Sequence, residues 1–293
     1  MFKNNGVKIA DRFLECVFCE QLARLRIFRL IHCYRNTKNS EIKEVVDYYR
    51  TNKLNAFQRI YPYPFAKNYD YKSIKVFFDG EDYYVKRNGR NLYLGNMFSC
   101  IKDAQLYYQR LLIEQDVNSP HRYLTDHFFP DMNDVVLDIG AAEGNLSFDV
   151  INNCKKLYLF ECDKEWIRAL KKTFSDYSDK VVFVNYYVDN YSDGEHISID
   201  DFVKRYNLHG ENLFIKIDAE GSETRIIEGA KNTLNNNKTK LAVCTYHNKD
   251  DEKNIRRLFE GWRIQHSQGY MFFIYDFNIK FPYLRRGLLR IKK

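Results

Sequence analysis

Prolines are scarce in this chain, only 5 in 293 residues, and no low-complexity tract breaks the sequence. With 45% hydrophobic and 29% charged residues, that argues for a folded globular chain rather than a disordered one. Uncharged apolar runs long enough to span a bilayer are also missing. The most apolar stretch, FLECVFCEQLARLRIFRLIHCY, carries Glu15, Glu20, Arg24, Arg26 and Arg29 and reads as an amphipathic helix. No apolar core followed by small residues marks a secretory signal, so the expected location is cytoplasmic. The seven cysteines are an odd number, and no second pair follows Cys16 and Cys19 at zinc-finger distance. Reduced thiols are therefore expected, with Cys16 and Cys19 one turn apart on a helix as core residues.

A concentrated basic stripe is absent as well. The formal net charge is +7, but basic and acidic residues are interspersed, so no nucleic-acid partner is expected. The exception follows Asp276, where Lys280, Arg285, Arg286, Arg290, Lys292 and Lys293 meet no acid. Residues 281–293 read as a solvated basic tail; peripheral contact with an anionic membrane surface or a substrate phosphate is the alternative.

Two regions differ in pattern. Residues 1–118 read as mostly helical, over 9–34, 40–60 and 101–115, with a β-hairpin in KVFFDGEDYYVKRNG turning at Asp79-Gly80. From Asn133 onward, strands alternate with helices. The strands are VVLDI, KLYLFE, VVFVNYY, LFIKID and LAVCTYH. The helices follow at 146–152, 164–174, 198–206, 225–234 and 255–259. RIQHS and YMFFIYD, split by Gln268-Gly269, read as a closing antiparallel hairpin. This alternation predicts a doubly wound, mostly parallel α/β sheet over residues 119–280.

The first strand runs into DIGAAEG, a turn in which Gly140 and Gly144 permit close approach. Such a turn at a strand's carboxyl end suits a nucleoside cofactor. A dinucleotide would place its pyrophosphate at the following helix and typically uses G-x-G-x-x-G, whereas here Glu143 faces that position. S-adenosylmethionine (SAM) has no phosphate and carries positive charge, so nearby carboxylates are acceptable. Glu161, ending strand two, can accept hydrogen bonds from ribose hydroxyls of either cofactor.

DIGAAEG, FECD, ISIDDF and especially IKIDAEGSE resemble the FkbM family of SAM-dependent methyltransferases over about residues 119–276. The resemblance implies a seven-stranded, Rossmann-like methyltransferase sheet and methylation of an oxygen, often on a sugar or natural product. Asp138, Gly140 and Gly144 match the glycine motif, Glu143 its variable acidic position, and Glu161 the ribose acid. Ala141, within the turn, and Cys162, after the ribose acid, complete the candidate cofactor set. Asp218, Glu220, Gly221 and Glu223 match the block after strand four. YYVDNYSDG departs from the family's small-residue pattern, which leaves the adenine contacts unassigned.

Methyl transfer is an in-line displacement, and a hydroxyl nucleophile needs its proton accepted as the new bond forms. Asp218, the first polar residue after LFIKI, is the expected base. Its alternative role is to cap the next helix, a role also open to Glu220 and Glu223. His247, after strand five, is the second catalytic candidate. Asp218, Glu220 and His247 could instead hold a divalent metal. His121, Arg122 and Tyr123 form a further cluster before strand one, suited to closing over the cofactor, to recognising an anionic group on the substrate, or equally to entering a helix after Ser119-Pro120. The expected function is SAM-dependent methyl transfer to a hydroxyl of a sugar, a glycan or glycolipid precursor, or a related small molecule. The rivals are an NAD-dependent oxidoreductase and a non-catalytic module of a glycan-assembly complex.

Overall fold

In the computed structural model, residues 9–52, 60–273 and 279–293 are described, with side chains from Glu20 onward. The chain divides into two units by its internal contacts. The smaller comprises 1–68 and 268–285. In it, helix α1 (Ile9–Cys33) and helix α2 (Ser40–Thr51) accompany a two-stranded ribbon from the later segment. Asn39 caps α2, its side chain accepting the Ile42 N–H. The helix expected to reach residue 60 ends at Thr51, and residues 53–59 lie outside the description. Cys16 and Cys19 fall on α1, but their side chains also lie outside the described residues.

The larger unit comprises 69–267 and 286–293, beginning well before residue 119. Its first part is a meander of β1 (Val76–Phe78), β2 (Tyr83–Arg87) and β3 (Arg90–Gly95), followed by α3 (Ile101–Glu114). The Asp79-Gly80 turn is present, with Gly80 at φ +99°, and β3 extends the expected hairpin by one strand. Then come β4 (Asp134–Ile139), α4 (Asn145–Val150), β5 (Lys156–Phe160), α5 (Lys164–Thr173) and β6 (Val181–Val184). A short parallel pair, β7 (Tyr187–Val188) with β8 (His196–Ile197), leads to α6 (Ile199–Arg205). The rest is β9 (Asn212–Ile217), α7 (Glu223–Glu228), α8 (Lys231–Asn236), β10 (Lys238–Cys244), α9 (Asp251–Leu258) and β11 (Arg263–His266). β12 (Met271–Phe272) and β13 (Leu284–Arg285) form the ribbon of the smaller unit, and β14 (Leu288–Lys292) ends the chain.

The central sheet has seven strands in the order β11-β14-β10-β9-β4-β5-β6. The five strands from β10 to β6 are parallel, as strands covered on both faces require, and β4 is buried at every position. One apolar cluster, including Leu137, Phe160, Phe202, Ile215 and Leu241, covers one face. The other, including Leu92, Tyr108, Phe148, Leu170 and Phe214, brings in the meander and α3.

The terminal antiparallel pair is present, but its second strand is β14 rather than YMFFIYD. Gln265 pairs with Arg290, and Ala242 of β10 pairs with Arg290 on the other side. Of the expected YMFFIYD strand, Met271 and Phe272 pair with β13, and residues 274–278 lie outside the description. The solvated tail is likewise replaced by structure: Leu288, Leu289 and Ile291 are fully buried. Arg290 donates to the carbonyls of Tyr123 and Arg122, so its charge does not require solvent.

Candidate active site

The Gly140 turn accommodates the protein itself. Gly140 has φ +73°, and a Cβ there would lie 2.0 Å from the Asp218 carbonyl oxygen, just past β9. Gly144 has φ +80°, and its Cβ would lie 2.6 Å from Leu170 Cδ2 on α5. Gly140 is therefore demanded by neighbouring backbone, and Gly144 by its left-handed φ, with side chains of α5 close by. The turn is further tied down by Phe160, whose carbonyl accepts the N–H groups of Gly140 and Ala141, each at 3.1 Å.

Around this turn, buried charges are arranged in pairs. Asp138 accepts from Ser147 Oγ at 2.5 Å and lies 3.2 Å from Lys216 Nζ. Lys216 also donates to the Gly140 carbonyl at 2.5 Å. Burial disfavours its charge, but Asp138 and then Asp218 outweigh that and raise its pKa, so it remains a cation. Glu161 braces the turn, accepting from Ala142 N–H at 2.9 Å and from Cys162 and Asp163 N–H at 2.8 Å each. Glu143 is buried and accepts from Tyr107 Oη at 2.5 Å. Burial raises its pKa to about 7 against the opposing Tyr107 hydrogen bond. Near neutral pH it is only partly charged, which weakens the electrostatic objection to a pyrophosphate.

Asp218 is the centre of a second cluster. Its Oδ2 accepts from Tyr123 Oη at 2.7 Å and its Oδ1 from Tyr246 Oη at 3.2 Å. Two histidines flank it: His121 Nε2 lies 3.8 Å from Oδ2, and His247 Nε2 lies 3.6 Å from Oδ1. Each is backed by a glutamate, His121 Nδ1 lying 3.0 Å from Glu114 and His247 Nδ1 2.9 Å from Glu223. Burial raises the Asp218 pKa, but Lys216, His121, Tyr123 and His247 outweigh it and hold the carboxyl at about 2. Burial also opposes charge on His247, and Glu223 chiefly overcomes it, raising that pKa.

A cavity of about 250 Å³ opens here, lined by Asp138, Gly140, Ala141, Glu143, Lys216, Asp218 and Glu220, among others. Its other wall comes from α3 and the segment after it, through Tyr107, Arg110, Glu114, Gln115 and Tyr123. Glu161, Cys162 and His247 are not part of this lining. Asp218 and His247 lie close together, but Glu220 is 93% exposed, whereas the buried residue beside His247 is Glu223. Glu223 opens α7 without capping it: its Oε1 accepts from Ala219 and Gly221 N–H and so braces the loop before the helix, and the cap residue Ser222 makes no side-chain cap bond. The contribution of α3 was missed altogether. Its one signal is Tyr107, Glu114 and Gln115 recurring near helical spacing, which core packing alone would also produce. Of the cluster before β4, Tyr123 lines the cavity and donates to Asp218, and His121 lies beside the same carboxylate.

The lining fits a positively charged nucleoside. Carboxylates of Glu114, Glu143 and Asp218 face one cavity and, with Asp138 and Glu220, outnumber its lining cations Arg110 and Lys216, of which Lys216 is ion-paired with Asp138 Oδ1.

Among solved structures, the chain is similar to methyltransferase FkbM from Methylobacillus flagellatus KT, at 16% identity and TM-score 0.42. That match covers 65% of this chain and 54% of the other, so the chain spans about half the length of that protein. A tRNA m1G37 methyltransferase of M. jannaschii matches at 14% identity and TM-score 0.40, covering 73% of this chain and 57% of that one. Precorrin-6y C5,15-methyltransferase from Geobacter metallireducens GS-15 matches at 13% identity and TM-score 0.37, covering 57% and 83% respectively. No curated protein matches the chain. The FkbM methyltransferase domain itself matches residues 86–272, from within β2 through β12, and the chain belongs to that family.

Proposed function

We propose that the chain transfers a methyl group from SAM to a hydroxyl of a small acceptor: a sugar, a glycan or glycolipid precursor, or a related metabolite. The observation supporting this most is the cavity that joins the glycine turn to Asp218. Bound SAM would supply an electrophilic methyl carbon on a sulfonium. Asp138 and Glu143 would hold its positive end, and the turn braced by Glu161 would receive the nucleoside. Glu161 retains acceptor capacity, because a carboxylate offers about four lone-pair sites and three are used here.

Asp218 would meet the acceptor. The acceptor hydroxyl would take the place of Tyr246 at Oδ1, the longer of the two tyrosine contacts. With SAM supplying the methyl group and taking up the C–S bonding electrons, Asp218 would orient the hydroxyl and accept its proton as the new C–O bond formed. Fixing this geometry is the main catalytic contribution expected of the chain. A cytoplasmic location is part of this reading; among the described residues, no helix is long and apolar enough to cross a membrane.

The test is Asp218→Asn with SAM and a panel of hydroxylated acceptors, followed by mass spectrometry for a one-methyl increment. The wild type should O-methylate at least one acceptor. The variant should lose roughly two to four orders of magnitude in turnover while still binding SAM. Normal turnover in the variant would remove Asp218 from the chemistry, and methyl transfer confined to nitrogen or carbon would contradict the hydroxyl assignment.

A further inference from the structure

Beside the cavity, where β9 and β10 end, three ligand-bearing side chains converge. Asp218 follows β9, Glu223 opens α7 and His247 follows β10. One ligand atom from each lies within 4.8 Å of the others. Glu223 is fully buried, yet its two oxygens are used unequally. Oε1 accepts from Ala219 N–H at 2.9 Å and Gly221 N–H at 3.3 Å. Oε2 is buried without a hydrogen-bond partner among the described residues.

His247 repeats the pattern. Its Nδ1 lies 2.9 Å from Glu223 Oε1, but without hydrogen-bond geometry, and both ring nitrogens lack hydrogen-bond partners among the described residues. A buried carboxylate oxygen left bare is costly, and the close His247 contact falls on the other oxygen, Oε1. A cation held by Glu223 and His247 relieves it. The local balance is negative, since Lys216 Nζ is engaged by Asp138 and by the carbonyls of Ile139 and Gly140. His121, on the far oxygen of Asp218, is matched by Glu114.

We infer that Asp218, Glu223 and His247 hold a divalent cation. Two carboxylates with one imidazole suit Mn²⁺, which accepts both ligand types, ahead of a thiolate-seeking metal. Glu223 thus replaces Glu220 in the expected ligand set. The site's function rests on the O-methyl reading: a cation beside Asp218 would bind and orient the acceptor hydroxyl at the cavity wall. Its existence as a binding site does not depend on that reading.

The test uses the purified full chain, stripped with a chelator and titrated with Mn²⁺ while free Mn²⁺ is followed by electron paramagnetic resonance. One Mn²⁺ should bind per chain. Glu223→Gln and His247→Gln should each weaken it at least tenfold, with S-adenosylhomocysteine (SAH) binding retained as evidence of folding. Asp218→Asn serves as a third ligand variant should either of those fail to fold. Absence of stoichiometric Mn²⁺ binding would overturn the site and leave Glu223 and His247 as a carboxylate–imidazole pair. Binding that all folded variants retain would overturn it too, by placing the metal elsewhere. SAH binding without Mn²⁺ binding defeats only the metal site, whereas Mn²⁺ binding without SAH binding defeats only the cofactor reading.

Discussion

Glu143 shows how one side chain ties cofactor binding to pH. Its pKa of about 7 lies above its ordinary 4.5 because the folded state buries it. The folded protein therefore holds this proton more tightly than the unfolded chain. The associated stability is fully present below about pH 4.5 and is lost as pH rises through about 7. Glu143→Gln, which stays neutral, should be more stable than wild type at pH 8, by on the order of 3 kcal/mol at most. The difference should shrink toward pH 5, as measured by urea unfolding at each pH; a gap independent of pH would contradict the account. A cation in the cavity favours the ionised form, so SAM affinity should be roughly three- to tenfold weaker at pH 6 than at pH 8, and Glu143→Gln should flatten that slope. Calorimetry across this range checks it. The sequence marks Glu143 as an acid at the turn, but its burial beneath Tyr107 depends on α3 and was not legible there.

At the scale of elements, β14 carries the clearest lesson. Counting charge after Asp276 suggests a solvated arm, yet Leu289 and Ile291 are fully buried between β10 and β11. Buried Arg290, whose pKa desolvation lowers to about 10, is met by the carbonyls of Tyr123 and Arg122, and partly exposed Lys292 donates to that of His127. No local pattern reveals those partners, because they lie far away in sequence. Leu289→Ala should cost about 2–5 kcal/mol, seen as a lower urea midpoint with an unchanged slope. An unchanged midpoint would mean that β14 is not part of the cooperative core. The buried parallel strands, by contrast, were legible as apolar runs. The helix expected over 225–234 is divided at Gly229, where a Cβ would lie 2.4 Å from the Asp189 carbonyl, another long-range contact. Periodicity finds elements; it does not find their distant neighbours.

For the whole molecule, the motif block at 215–223 and the glycine turn identified the family and half of the cavity wall. The other half, α3 and the segment after it, lies before the recognised motifs and carries no comparable signature. The same fold brings Asp218, His247 and Glu223 together across two strand ends, which the D-x-E-G-x-E spacing alone could not establish. The central claim is that the cavity binds SAM. Calorimetric titration of the purified chain with SAH and, separately, with NAD tests it most directly. The account predicts one SAH per chain, weakened in Glu161→Ala by on the order of 1–3 kcal/mol, and little or no NAD binding. NAD binding tighter than SAH, or no SAH binding by a folded chain, would contradict it.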